Sequence, residues 1–385
     1  MQEKKNPRSL DALAGESEMG SDDASALPQR LSRYSIAHRR ALHMSKYARS
    51  QKNHQIADNL QSCGHWLLFR DYFTIDKMLL HSAKFCRKHL LCPLCAIRRG
   101  AKYLKAYLEK LKLVQAEQPA MKAYLVTFTV KNGECLKERY YHLRQAMRKM
   151  RDARNSHLSN PKKNRHVEFA KALGGVHSIE FKRGANSGLW HPHTHMVWLC
   201  NEKPDAFKLS AEWEEWTGDS FIVDVTEFHD QDDIVSGFME VFKYALKFSE
   251  LELGDNWHAF EVLSNKRLID SFGCLRGVEV SDDYTDGEID DMPFVEMLYE
   301  YTRNGYELRK LDNVNVATGE VGAVVGLAQV MQDREPTSFK SETKPKVIYS
   351  LYTPPVEDES KGGDPACGEV PFVKTMTGAD DNNSP

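Results

Sequence analysis

Three histidines spaced two apart and followed by an apolar run constrain this chain more than any other feature. The stretch reads His191-Pro192-His193-Thr194-His195-Met196-Val197-Trp198-Leu199. In a β-strand alternate side chains point to one face, so His191, His193 and His195 line a single face. Neutral imidazole is the commonest protein ligand for metals, and two or three on one strand face supply half a coordination shell. A solvated polar strand face is the plainer alternative. Three of the chain's 15 histidines in one period-two run argue against it.

The cysteines give the second constraint. Four of the eight lie close together, at Cys63, Cys86 and Cys92-Pro93-Leu94-Cys95. A C-x-x-C pair preceded by two further cysteines has the spacing of a closed tetrahedral zinc site, which supplies folding energy where a small module lacks core. Cys63, Cys86, Cys92 and Cys95 are the expected Zn²⁺ ligands, with His65 and His89 as substitutes. A redox C-x-x-C needs neither Cys63 nor Cys86. Structural disulfides are disfavoured in the cytoplasm, where this chain is expected to reside. No run approaches the roughly 18 apolar residues of a membrane span, and the polar first 33 residues contain no secretion-signal core. Membrane association is not expected.

Charge is unevenly divided. Residues 277–385 carry 22 acidic and 9 basic side chains, against 33 and 43 in residues 1–276. A basic body with an acidic C-terminal part suits a polyanion partner. Within the body, Arg87, Lys88, Arg98, Arg99 and Lys102 make the cysteine module basic and suited to gripping a phosphate backbone.

Periodicity predicts helices over 96–113, 134–156 and 206–216, and strands over 123–130, 176–182 and 221–227. His177 and Glu180 stand out in the second of these strands. A further amphipathic helix is predicted over 232–250, on which Glu240, Tyr244 and Lys247 fall on one face. Tyrosine is a poor nucleophile at its usual pKa of about 10, so a neighbouring cation such as Lys243 or Lys247 would have to assist it. Taken alone, Glu240 and Tyr244 read more plainly as a core tyrosine beside a surface ion pair.

Taken in order, the basic cysteine module, the strand Leu125-Val126-Thr127-Phe128-Thr129-Val130, the motif Trp190-His191-Pro192-His193-Thr194-His195, and then Glu240 with Tyr244 form a pattern. It resembles the plasmid rolling-circle replication initiators of the HUH endonuclease superfamily. The branch it looks closest to has one tyrosine and a glutamate four residues before it. The resemblance covers roughly residues 63–277. It implies that His193 and His195 are paired ligands of a catalytic Mg²⁺ or Mn²⁺, that Glu180 completes the set, and that His191 is an additional candidate. It implies that Tyr244 attacks the scissile DNA phosphate and becomes linked to the 5′ end, that Glu240 activates water at termination, and that Lys247 accompanies the tyrosine. Thr194 departs from the pattern, where a bulky apolar residue is usual. The implied partner is plasmid origin DNA, single-stranded or in a hairpin at the nick site, with a host helicase as a second partner.

The expected architecture is α+β, with a central antiparallel sheet, helices packed on one face, and a small zinc-binding module before it. The expected divisions are a disordered N-terminus over 1–33, a basic arm and zinc module over 34–118 and a catalytic domain over 119–277. An acidic region over 278–351 and a disordered tail over 352–385 follow. Three other readings stand beside this one: a transposase of the same superfamily, a histidine-triad nucleotide hydrolase, and a non-catalytic zinc-dependent DNA-binding regulator.

Overall fold

Strand pairing arranges the chain around two five-stranded antiparallel sheets. The computed structural model describes residues 23–184, 187–290, 292–314 and 321–322. The element order is α1 (Leu27–Ser50), α2 (His54–Ser62), β1 (Trp66–Tyr72), β2 (Lys77–Ala83), α3 (Pro93–Glu117), β3 (Lys122–Thr129) and α4 (Leu136–Ser159). There follow β4 (Ala172–Arg183), β5 (Trp190–Cys200), α5 (Ala206–Thr217), β6 (Val223–Glu227), α6 (Gln231–Phe242), α7 (Tyr244–Phe248), α8 (Leu253–Leu263) and β7 (Ile269–Gly273). The last elements are β8 (Phe294–Thr302), β9 (Gly305–Val314) and β10 (Val321–Gly322).

The first sheet has the order β6-β3-β5-β4-β7, with the histidine strand β5 at its centre. Along β5 the odd-numbered positions from His191 to Leu199 share a face with Glu180 and Thr127, because paired residues of an antiparallel ladder point the same way. The apolar end of that face, Ala123, Val176, Val197 and Leu199, is covered by Leu104, Tyr107 and Leu111 of α3 and by Phe238 and Phe242 of α6. On the opposite face Phe128 packs against Trp198 and against Trp213 of α5, at ring separations of 5.9 and 4.7 Å. Leu143, Met147 and Met150 of α4 join that same core. Helices therefore cover both faces rather than one, which corrects the expected two-layer arrangement. A strand with both faces buried needs apolar residues at odd and even positions alike, and Met196 to Cys200 are all buried.

The second sheet has the order β10-β9-β8-β1-β2. It joins the region before the first sheet to the region after it, since β1 pairs with β8 from Trp66↔Glu300 to Asp71↔Val295. The divisions expected at 118 and 277 do not separate these strands. The N-terminal expectation also changes: a 3-10 turn over Ala24–Ala26 leads into α1 at Leu27, with Ala24, Ala26 and Leu27 buried. Residues 1–22 and the tail over 352–385 lie outside the described residues. No helix among the described residues is long and apolar enough to cross a membrane.

Candidate functional site

The four cysteines converge as their spacing suggests. Cys63 follows α2, Cys86 follows β2, Cys92 caps α3 with Pro93 in its first turn, and Cys95 lies one turn in. Their sulfurs lie 3.5 Å apart for Cys63–Cys92 and Cys63–Cys95, and 3.6 Å for Cys86–Cys95. A disulfide would hold two sulfurs at about 2.05 Å. Four thiolates at about 2.3 Å from a central zinc would sit roughly 3.8 Å apart, so the arrangement fits a metal cage and not a bridge. Gly64 sustains it with φ +67°, and a Cβ there would lie 2.3 Å from a Leu94 methyl carbon.

The second cluster lies on the polar end of the histidine face. Glu180, His193 and His195 offer ligand atoms that all lie within 4.8 Å of one another. His193 Nε2 lies 3.2 Å from Glu180 Oε2, and His195 Nε2 lies 3.8 Å from the same oxygen. Glu180 Oε1 and His193 Nδ1 are buried with no hydrogen-bond partner. A buried unsatisfied carboxylate oxygen is costly, so two imidazoles and an orphaned carboxylate fit a divalent cation. Burial pushes the Glu180 carboxyl up, but its hydrogen bond to His193 and the charges of His193, His195 and Lys247 outweigh that and bring it to about 2. Burial lowers His195, which keeps its ring in the neutral form that a metal requires.

Sequence reasoning missed the partners that orient these rings. Thr127 Oγ1 lies 3.0 Å from His195 Nδ1, and Asn132 Oδ1 accepts from His191 Nδ1 at 2.7 Å. Thr127 faces His195 across the ladder, a relation that only the register reveals. His191, half-buried and held by Asn132, lies outside the Glu180–His193–His195 cluster. Thr194 points to the opposite face, where its fully buried hydroxyl donates to Ser178 O at 2.7 Å. That bond explains why a threonine serves where an apolar residue was expected.

Glu240 joins the cluster, with Oε1 3.7 Å from His195 Nε2 and its other oxygen paired with Lys243. Lys247 acts electrostatically on Glu180 and so lies on this side as well. The expected continuous helix does not carry all three residues, because α6 ends at Phe242 and Tyr244 opens the short α7. The Tyr244 ring lies 6.3 Å from His89 between centroids. It lines a cavity of about 550 Å³ together with Arg87, Lys88, Arg99, Lys266 and Arg267. Burial pushes the Tyr244 phenol up to about 12, against the opposing pull of the Arg99 guanidinium. The cavity adjoins the histidine strands, since Ile179, next to Glu180, donates its N–H to Leu268 O in the cavity wall.

The five expected DNA-contacting side chains divide. Arg87, Lys88 and Arg99 line the cavity, and Arg99 donates to His89 and to the Tyr103 hydroxyl. Lys102 is half-buried on α3. Arg98 is corrected: it is 4% exposed, bonds Tyr34 and the Tyr284 carbonyl, and pairs with Asp286. Its charge holds the protein together and does not meet solvent.

Residues 77–305, more than half of the chain, match the family described as Replication protein. A curated relative, "Protein rep" of Streptococcus pneumoniae serotype 2 (strain D39 / NCTC 7466), is 26% identical over 212 residues, which is 51% of this chain. The alignment spans 62% of that relative's length. No solved structure matches.

Proposed function

This chain belongs to the Replication protein family, and from that premise we propose that it initiates plasmid rolling-circle replication by nicking one strand of the origin. The observation that carries this reading is the meeting of Glu180, His193, His195 and Glu240 beside a cavity that contains Tyr244 and five cationic side chains. Glu180, His193 and His195 would hold Mg²⁺ or Mn²⁺, and Cys63, Cys86, Cys92 and Cys95 would hold Zn²⁺. The divalent cation, when bound, neutralises charge on the scissile phosphate.

The chain's own residues do the rest. Arg87, Lys88, Lys266 and Arg267 draw a single strand into the cavity, since phosphates are attracted to a cationic cleft with low-dielectric walls. Arg99 opposes the burial that keeps the Tyr244 phenol neutral. The Tyr244 oxygen bonds to phosphorus and the bond to the 3′ oxygen breaks, leaving a 5′-phosphotyrosine and a 3′-OH primer. The phenol proton is lost and one is gained by the departing oxygen. At termination Glu240, fixed by Lys243, takes a proton from water.

The test is a nicking assay on a hairpin-bearing origin strand with Mn²⁺, comparing wild type with Tyr244→Phe. A protein–DNA adduct in the wild type alone is expected. An adduct that persisted in the variant would move the nucleophile elsewhere, and absence of cleavage in both would favour the zinc-dependent regulator.

A further inference from the structure

A cationic surface remains that the proposed nicking step does not use. Residues 136–166 hold ten basic and two acidic side chains. On α4 the buried stripe is Leu136, Tyr140, Leu143, Met147 and Met150. Beside it a second stripe at helical spacing runs Lys137, Tyr141, Arg144, Arg148 and Arg151. Arg144 is half-buried and the other four are exposed. Among the described residues, Lys137, Arg144 and Arg151 have no carboxylate in ion-pair contact, and Arg148 meets only the exposed Asp152 at 3.7 Å. An exposed pair of that kind contributes little, so the stripe's charge is undiminished. Lys162 and Lys163, just past the end of the helix, are exposed as well.

The stripe runs to the rim of the Tyr244 cavity. Lys266, which lines that cavity, places its Nζ 5.7 Å from the Tyr141 ring centre and 3.4 Å from the Tyr141 hydroxyl. From Lys137 to Arg151 the stripe covers about 21 Å at the helical rise, a length over which a duplex presents roughly a dozen phosphates. Single-strand tracks carry repeated aromatic platforms for stacked bases. This stripe has one aromatic residue, Tyr141, at its cavity end, and otherwise long cationic side chains on a straight support.

We propose that the outer stripe of α4 is a phosphate-backbone docking surface for double-stranded DNA, holding the duplex that flanks the strand entering the Tyr244 cavity. The proposal rests on the initiator reading only for which duplex is bound. It moves duplex binding from the zinc module, whose Arg98 is buried and whose Arg99 lines the cavity, to α4, which meets the cavity lining at Lys266.

The experiment measures binding of a labelled random-sequence duplex, and of a single strand of equal length, across a salt series by fluorescence anisotropy. The proteins are wild type, a Lys137→Gln/Arg144→Gln/Arg148→Gln/Arg151→Gln variant, and an Arg144→Lys/Arg148→Lys/Arg151→Lys variant. Each phosphate contact adds about 0.9 to the slope of log affinity against log salt, so the neutralised variant should lose about 3 to 4 from its slope on the duplex. The lysine variant should keep the wild-type slope, which separates charge from folding. A neutralised variant with the wild-type duplex slope would overturn the proposal, leaving α4 a solvated face. Equal losses on duplex and single strand would overturn the assignment to duplex DNA. Failure of the nicking reading is seen separately, as absence of the Tyr244 adduct in a wild-type protein whose duplex slope still responds to α4.

Discussion

At the level of single residues, the groups that orient the candidate metal ligands matter as much as the ligands. Thr127 fixes which nitrogen of His195 faces Glu180, and losing such an orienting partner typically lowers metal affinity 10- to 100-fold. Thr127→Val keeps the β-branched shape and removes the bond, so weaker Mn²⁺ binding within about that range is expected by metal titration; unchanged affinity would deny Thr127 the role. Arg99 has a different task, opposing the burial of the Tyr244 phenol. Arg99→Gln should move the ascending limb of the nicking pH–rate profile, set by loss of the Tyr244 phenol proton, to higher pH. At neutral pH the reaction should then slow about tenfold for every pH unit by which the limb moves. A slower enzyme with an unmoved profile would make Arg99 a DNA contact only. The alternation of His191, His193 and His195 was legible because period two is written in the sequence itself. Thr127 and Asn132 were not, because their proximity depends on register and loop geometry, which no local pattern encodes.

Between elements, one buried charge network ties α1, α3 and the segment before β8 together. Asp286 pairs with Arg30 at 2.6 Å and with Arg98, and accepts the Leu80 N–H at 2.7 Å. Burial pushes the Asp286 carboxyl up, but the two guanidiniums hold it well below the usual carboxylate range. Removing one partner of a buried pair leaves an uncompensated charge, so Asp286→Ala should cost about 3 to 5 kcal/mol in urea denaturation. A loss below about 1 kcal/mol would place the network in solvent. Across the first sheet, burial is the main force lowering His177 to about 4, with Arg144 and Arg151 of α4 acting the same way and Asp270 of β7 opposing them. As pH falls from 6.5 towards 4, the unfolded chain takes up a proton that the folded ring refuses. Stability from this group is therefore complete above pH 6.5 and lost as pH falls through about 4. His177→Leu, which also removes two unpartnered ring nitrogens, should flatten the pH dependence of the urea midpoint over that window; an unchanged slope would put the acid sensitivity elsewhere. The strands β3 to β6 and the helices α3 to α5 could be anticipated within a few residues from their apolar spacing. The break at Lys243 could not, because Phe238, Phe242, Ala245 and Phe248 keep one amphipathic rhythm through it while the backbone resets.

Across the whole molecule, the divisions drawn from composition fail where strand pairing is non-local. The acidic stretch after 277 marked a boundary in charge, yet β8 and β9 within it complete the sheet begun by β1 and β2. The cysteine cage sits where these parts meet: Cys63 precedes β1, Cys86 follows β2, and the loop from Cys86 to Cys92 supplies the Arg87, Lys88 and His89 wall of the Tyr244 cavity. If the cage holds zinc as proposed, removing the cation would affect more than the small module's own stability. Thiolates left this close with no cation between them would repel, and the loop that supplies Arg87, Lys88 and His89 to the cavity lining would lose its constraint. A zinc-selective chelator is expected to lower the melting temperature, expose four thiols to a thiol reagent, and abolish adduct formation even when Mn²⁺ is supplied in excess. Zinc, and not Mn²⁺, should restore all three. If adduct formation survived with the four thiols fully reactive, the cage would be a folding device only, and the cavity wall would owe its shape to the packing of α3 and α8 alone.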